Sequence, residues 1–147
     1  MNSTSLTKKE RIQKFGEVFT SVETVNQMLD MLPPETFKPE RTFLEPCCGD
    51  GVFIIEILKR KFANCKKRKD YTTSLKSVYG MELQADNVVK CIQNVLNLCG
   101  EYFKVTKTEK MIVNEHIMQA DSLKVMNMIN ERRIIDERNF IQRQESR

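Results

Sequence analysis

Glu45, Gly49, Gly51 and Glu82 are the residues whose types and spacing could do chemistry. From Thr42 the chain reads as a short β-compatible run, then a tight turn with two glycines. Val52, Phe53, Ile54, Ile57 and Leu58 follow at helical spacing. Strand, glycine loop and helix in that order open a nucleotide-binding α/β sheet. Gly49 and Gly51 lack Cβ atoms, so the backbone can turn sharply and a ligand can lie against it. Glu45 stands at the strand's carboxyl end, where open α/β sheets bind ligands. A second apolar run, Val78 to Leu83, carries Glu82, which lies 31 positions after Gly51. A ribose-binding acid is expected about 20 positions on, and a basic insertion accounts for the excess. A carboxylate there can accept from both ribose hydroxyls at once. Each feature also has a plainer reading. Glycines serve packing in many such turns, and Glu82 suits the start of the next helix.

These groups must be held by regular elements. Thr7 to Lys14 reads as a short charged helix. Ser21 is a good N-cap for a helix with Val22, Val25, Leu29 and Leu32 on one stripe. Pro33 and Pro34 stop that helix. The helix after the glycine loop runs from about Val52 to Phe62, and Asn64 to Lys76 reads as a polar, mobile segment. Asp86 caps the next helix, whose buried face is Val88, Cys91, Ile92, Val95, Leu96 and Cys99, and Gly100 ends it. Of two short apolar pieces, 111–113 and 117–119, the second is the better third strand. Asp121 or Ser122 then caps a long charged helix from Lys124 onward, with Val125, Met128 and Ile129 as its apolar start.

The chain has 147 residues, 40% hydrophobic and 30% charged, and reads as one globular domain. No stretch approaches the roughly 20 apolar residues of a membrane span. The first 14 residues hold no apolar run, so no secretory signal is expected. The five cysteines form no CxxC pair and read as reduced intracellular thiols, which points to a cytoplasmic protein. The net charge of +4 is mild. Its clustering says more: Lys59, Arg60 and Lys61 are followed by Lys66, Lys67, Arg68 and Lys69. The second cluster is either a phosphate-facing patch for DNA or a solvated loop after a helix.

Leu44 to Gly51 resembles the first motif of S-adenosylmethionine-dependent N6-adenine DNA methyltransferases, (D/E)-P-(A/P)-C-G-x-G. Cys48, Gly49, Asp50 and Gly51 match as they stand, and Cys47 replaces the family's small residue. Gly16 to Ser21 resembles the tenth motif, G-x-x-(F/Y)-T-P, with Ser21 in place of proline. Gly80-Met81-Glu82-Leu83 matches the second, and Ala120 to Leu123 resembles the third.

The resemblance implies a partial Rossmann-like methyltransferase fold: an α/β domain with a mostly parallel three-stranded sheet flanked by helices. A helical lead-in with a cofactor loop would occupy 1–41, a βαβαβ core 42–123, and a C-terminal helix 124–147. It implies S-adenosylmethionine as cofactor. Glu45, Cys47, Gly49 and Gly51 would surround its methionine part, and the loop bearing Glu17, Phe19 and Thr20 would close over it. Glu82 would hold the ribose and Leu83 would pack on the adenine. Asp121, beside Ser122, would accept from the adenine amine. The family's catalytic motif, (N/D/S)-P-P-(Y/F/W), is absent. The four prolines are Pro33, Pro34, Pro39 and Pro46, and the one pair lies between Leu32 and Glu35. The chain alone should therefore not methylate adenine. Its first strand would lie at a sheet edge, to be covered by the C-terminal helix, a twin chain or a second subunit. Two other functions stay open: a degenerate DNA-binding or regulatory subunit, and an enzyme acting on S-adenosylmethionine itself.

Overall fold

A computed structural model describes residues 6–15 and 17–145. Gly16, the glycine of the N-terminal motif, lies outside the described residues, as do 146–147, which the sequence assigns to the C-terminal helix. Helix α1 spans Lys8–Phe15, and α2 spans Val22–Asp30. Ser21 caps α2 by accepting from the Thr24 amide at 3.2 Å, as its hydroxyl predicts. Val25 and Leu29 of the apolar stripe are buried, while Val22 and Leu32 at its ends are exposed. A 3₁₀ turn at Pro34–Phe37 leads to β1, Phe43–Glu45. Then come α3 (Val52–Ala63), α4 (Arg68–Lys76), β2 (Val78–Glu82), α5 (Ala85–Tyr102), α6 (Lys107–His116), β3 (Ile117–Gln119) and α7 (Ser122–Glu145).

The three strands form one sheet in the order β1-β2-β3, with both pairings parallel. Phe43 pairs with Val78, and Glu82 pairs with Gln119, so the carboxyl ends of the strands share one rim. This is the α/β fold with a parallel three-stranded sheet expected above. The core lies where α3 and α5 meet the sheet, through Ile54, Leu58 and Phe62 on one helix and Cys91, Val95 and Cys99 on the other. At about 25 cal/mol per Å² of buried apolar surface, each such side chain stabilises the fold by roughly 1.5–3 kcal/mol. All five cysteines are free thiols. Among the described residues no helix is long and apolar enough to cross a membrane.

Three readings of the sequence do not hold. Asn64 to Lys76 is not a mobile loop, since most of it is α4. The Asp70 carboxylate accepts the Lys66 and Lys67 amides at 2.9 Å each and caps the helix start. Leu75 is buried, and Tyr71 meets the Phe62 ring edge-on at 5.2 Å. Gly100 does not end α5. A Cβ there would meet nothing within 4 Å, and the helix passes through to Tyr102. Asp86 is not the cap of α5, whose N-cap is Gln84, because it sits inside the first turn, where its carboxylate takes Arg11 and the Asn87 amide. Of the two apolar pieces, 117–119 is the third strand, as expected, and 111–113 belong to α6, with Ile112 and Val113 in the core.

The first turn of α6 is held by Glu109, whose carboxylate accepts the Thr106 amide at 2.9 Å and hydroxyl at 2.5 Å. Arg68 and Thr72 also donate to it, at 2.9 and 3.1 Å. Burial alone would push this carboxyl up. The hydrogen bonds from Thr106, Arg68 and Thr72 outweigh it and hold the group at about 2, against an ordinary 4.5. A carboxylate with a depressed folded value contributes stability above 4.5, and that stability is lost as pH falls toward 2. Over this window Glu109 accounts for about 3 kcal/mol. Glu109→Gln should flatten the loss of stability between pH 4.5 and pH 2 that chemical denaturation measures in the parent chain. Equal acid slopes for the two proteins would contradict this assignment.

Candidate cofactor site

After β1 the chain turns through residues 46–51. The Cys48 amide donates to the Met81 carbonyl at 2.9 Å, which pins the turn to the end of β2. Gly49 has φ +55° and Gly51 has φ +101°, the only positive values among the described residues. A side chain at Gly49 would start 3.3 Å from the Phe19 ring, and one at Gly51 would start 2.8 Å from Cys91 Sγ. Glycine is therefore required at both points for conformation and for space. Beneath the turn, a hydrogen bond with Cys91 and burial push the Cys48 thiol up, so it stays protonated and inert.

Glu82, the last residue of β2, reaches back to the same turn. Its Oε2 accepts from the Gly49 amide at 3.0 Å and its Oε1 from the Gln84 amide at 2.7 Å. The two features that lie 33 residues apart in sequence thus share one rim. A carboxylate offers about four lone-pair sites, so two remain for a ligand after these bonds. Glu45 also turns inward on the loop, with Oε1 accepting the Cys47 amide at 3.0 Å.

A cavity of about 260 Å³ opens at this rim. Of the candidate residues, Glu17, Phe19, Thr20, Cys47, Gly49, Glu82 and Leu83 line it. Leu83 is 58% exposed, with a free apolar surface at the mouth. Glu45, Gly51, Asp121 and Ser122 are not in the wall. Ser122 Oγ lies 3.7 Å from Cys47 Sγ, so the start of α7 borders the mouth. Asp121 caps α7, its Oδ1 accepting from the Lys124 amide at 3.3 Å. Glu17 lines the wall, yet both its oxygens are taken. Arg11 donates to them at 2.5 and 2.9 Å, and the Asn87 amide donates to Oε1. The hydrogen bond from Arg11 holds the Glu17 carboxyl below the usual carboxylate range.

Two wall residues carry no signal in the sequence beyond their neighbours, and a third carries only its place in the glycine motif. Phe15 and Val18 complete the N-terminal side, and Asp50 lies between the two glycines. Among the described residues, Asp50 Oδ1 is buried without a hydrogen-bond partner, an acceptor left for a ligand's N–H or O–H.

The basic cluster is placed elsewhere. Helix α3 carries the chain from the rim to the far end of the sheet, a rise of roughly 18 Å for its 12 residues. Lys66, Lys67, Arg68 and Lys69 follow within six positions of its end. Arg68 is committed to Glu109 and stacks over the Phe103 ring at 4.2 Å. In the first cluster Lys61 is fully buried and donates to the Lys38 and Arg41 carbonyls at 2.7 and 2.6 Å. Arg60 pairs with Asp30, and Lys59 with Glu56.

No known family profile matches the chain. In sequence it is 31% identical over 87 residues to the type II methyltransferase M.VspI of Vibrio sp. (strain 343), a match covering 59% of this chain and 18% of that protein. In fold it is similar to the crystal structure of a modification subunit of a putative type I restriction enzyme from Vibrio vulnificus YJ016. The TM-score is 0.53 at 22% identity, covering 79% of this chain and 22% of the other. The match therefore spans about a fifth of each relative's length. Methyltransferases of restriction–modification systems are what this chain is similar to in sequence and in fold, which bears out the resemblance to the N6-adenine DNA methyltransferase family.

Proposed function

We propose that the chain is an S-adenosylmethionine-binding module of the N6-adenine DNA methyltransferase type. The observation that carries this reading is the bond between Glu82 and the Gly49 amide, which sets a strand-end carboxylate beside a glycine cradle. The residues present fit such a cofactor. Glu82 keeps lone pairs for the two ribose hydroxyls, and Leu83 offers an apolar face for the adenine ring. Gly49 presents bare backbone beside the Phe19 ring, against which the methionine part would lie, and Asp50 Oδ1 waits for a donor. Phe19 and Thr20 cover that end and exclude water. Asp121, at the border of the mouth, would accept from the adenine amine through Oδ2, in place of its exposed 3.6 Å pairing with Lys124. The cavity is slightly smaller than a typical small-molecule site of roughly 300–1,000 Å³, so the cofactor would extend past its mouth.

Bound there, the cofactor would supply an electrophilic methyl group. The sequence carries no (N/D/S)-P-P-(Y/F/W) tetrapeptide, so on this reading transfer depends on a partner that brings it. The edge of β1 supports this. Among the described residues β1 pairs with β2 alone, and Leu44 on it is exposed. Leu123, Met128 and Ile129 of α7 are exposed as well, so α7 does not bury its apolar start. A bare strand edge and an unburied apolar helix face together favour a second chain. The relative in fold is named as a modification subunit, which agrees with such an assembly.

Calorimetry with S-adenosylmethionine tests the reading, with saturable one-to-one binding expected. No binding would remove the cofactor and leave a DNA-binding or regulatory role. Incubation of the protein with the cofactor should leave the cofactor intact, since breakdown products would mark an enzyme acting on S-adenosylmethionine itself. DNA and methyl-labelled cofactor should give no labelled DNA with this chain alone. Labelled DNA would show that no partner is needed. Light scattering after size-exclusion separates a twin chain from a different subunit.

A further inference from the structure

Helix α1 and residues 17–20 supply Phe15, Glu17, Val18, Phe19 and Thr20 to the cavity wall. Yet α1 buries no residue, and Leu6, Ile12 and Phe15 are each more than a third exposed. Apolar burial does not hold this segment down, so something else must.

The polar contacts converge on Arg11. Its side chain is only 16% exposed. It donates to both oxygens of Glu17 and to both oxygens of Asp86, the latter at 2.6 and 3.2 Å. It also reaches Asn87 Oδ1 at 3.5 Å. Asn87 is fully buried and returns a bond from its amide nitrogen to Glu17. Asp86 and Asn87 lie in the first turn of α5, which begins directly after the rim residues Glu82, Leu83 and Gln84. One guanidinium therefore joins the N-terminal wall to the element that leaves the rim. A planar fork can serve two carboxylates at once, while an ammonium is a single point charge.

We propose that Arg11 is an ionic latch that holds residues 17–20 over the cavity. This rests on the cofactor reading for its purpose, but not for its geometry. Arg11 is a positioning residue: it acts on the ligand through Glu17 and Phe19. Because half of Asp86 is exposed, the latch is partly screened by salt, so the wall should loosen as ionic strength rises.

Hydrogen–deuterium exchange of the full chain without cofactor tests the latch. In Arg11→Gln the amides of residues 17–20 should exchange about tenfold faster, while those of α3 and α5 keep their rates. Arg11→Lys should recover only part of the protection. Asp86→Asn removes one arm and keeps the test informative if Arg11→Gln fails to fold, and it should give a smaller increase at the same amides. Unchanged exchange at 17–20 overturns the latch, as does a uniform rise across the chain, which would mark a general structural role. Cofactor affinity in Arg11→Gln should fall about tenfold, chiefly through faster dissociation. Faster exchange at 17–20 in the variant, with no cofactor bound by the parent chain, supports the latch and overturns the cofactor reading instead.

Discussion

Gly51→Ala is expected to cost about 2–5 kcal/mol of stability and to abolish cofactor binding. At φ +101° an L side chain is strained whatever space surrounds it. The space is also taken: the new Cβ would lie 2.8 Å from Cys91 Sγ and 3.6 Å from the Cys91 backbone. Relief requires either α5 or the turn to move. The turn is the weaker of the two, because α5 is held by Cys91, Val95 and Cys99 in the core. Movement of the turn carries Gly49 away from Glu82. Thermal unfolding and calorimetry would measure both effects. Gly100→Ala serves as the control, since its Cβ meets nothing and helix propensity favours alanine by up to ~1 kcal/mol. Adding Cys91→Ala to Gly51→Ala should restore the steric part of the loss and leave the backbone strain. A Gly51→Ala protein as stable as its parent would show that the turn is not held as described.

Glu82→Ala should weaken S-adenosylmethionine binding by roughly 100-fold, the effect of removing two hydrogen bonds to a charged acceptor. Glu82→Gln is informative in a different way. Each Glu82 oxygen accepts a backbone amide, from Gly49 on one side and Gln84 on the other. Glutamine has one acceptor oxygen, so its NH₂ must face one of these amide donors. The turn or the start of α5 then gives way, and affinity falls although size is conserved. Competition calorimetry reads both variants. An unchanged affinity in Glu82→Ala would take Glu82 off the ribose.

What the sequence made legible is local. A strand, two glycines and a helix announce themselves within ten residues, and Ser21 and Asp121 cap their helices by contacts three residues away. The third strand at 117–119 was readable as an apolar piece just before such a cap. The remainder depends on contacts across the chain. Helix α4 has a polar composition and is secured by Leu75 in the core and by Tyr71 against Phe62. Gly100 looks like a helix end, because sequence does not show that its surroundings are open. Asp86 looks like a cap, and its charged partner, Arg11, is 75 residues away. Glu17 shows the same limit at the site. The motif marks it as a cofactor contact, while the fold gives its oxygens to Arg11 and Asn87. The basic cluster looks like one surface patch in sequence, yet Lys61 is buried and Arg68 is half of an ion pair.

The most direct test is an amide NMR titration of the full chain with S-adenosylmethionine. The amides of Phe19, Gly49, Gly51, Leu83 and Gln84 should shift together and saturate, while those of Lys66, Lys67 and Arg68 at the far end of the sheet stay put. No shift at the glycine turn and the end of β2, or shifts confined to another face, would contradict the account.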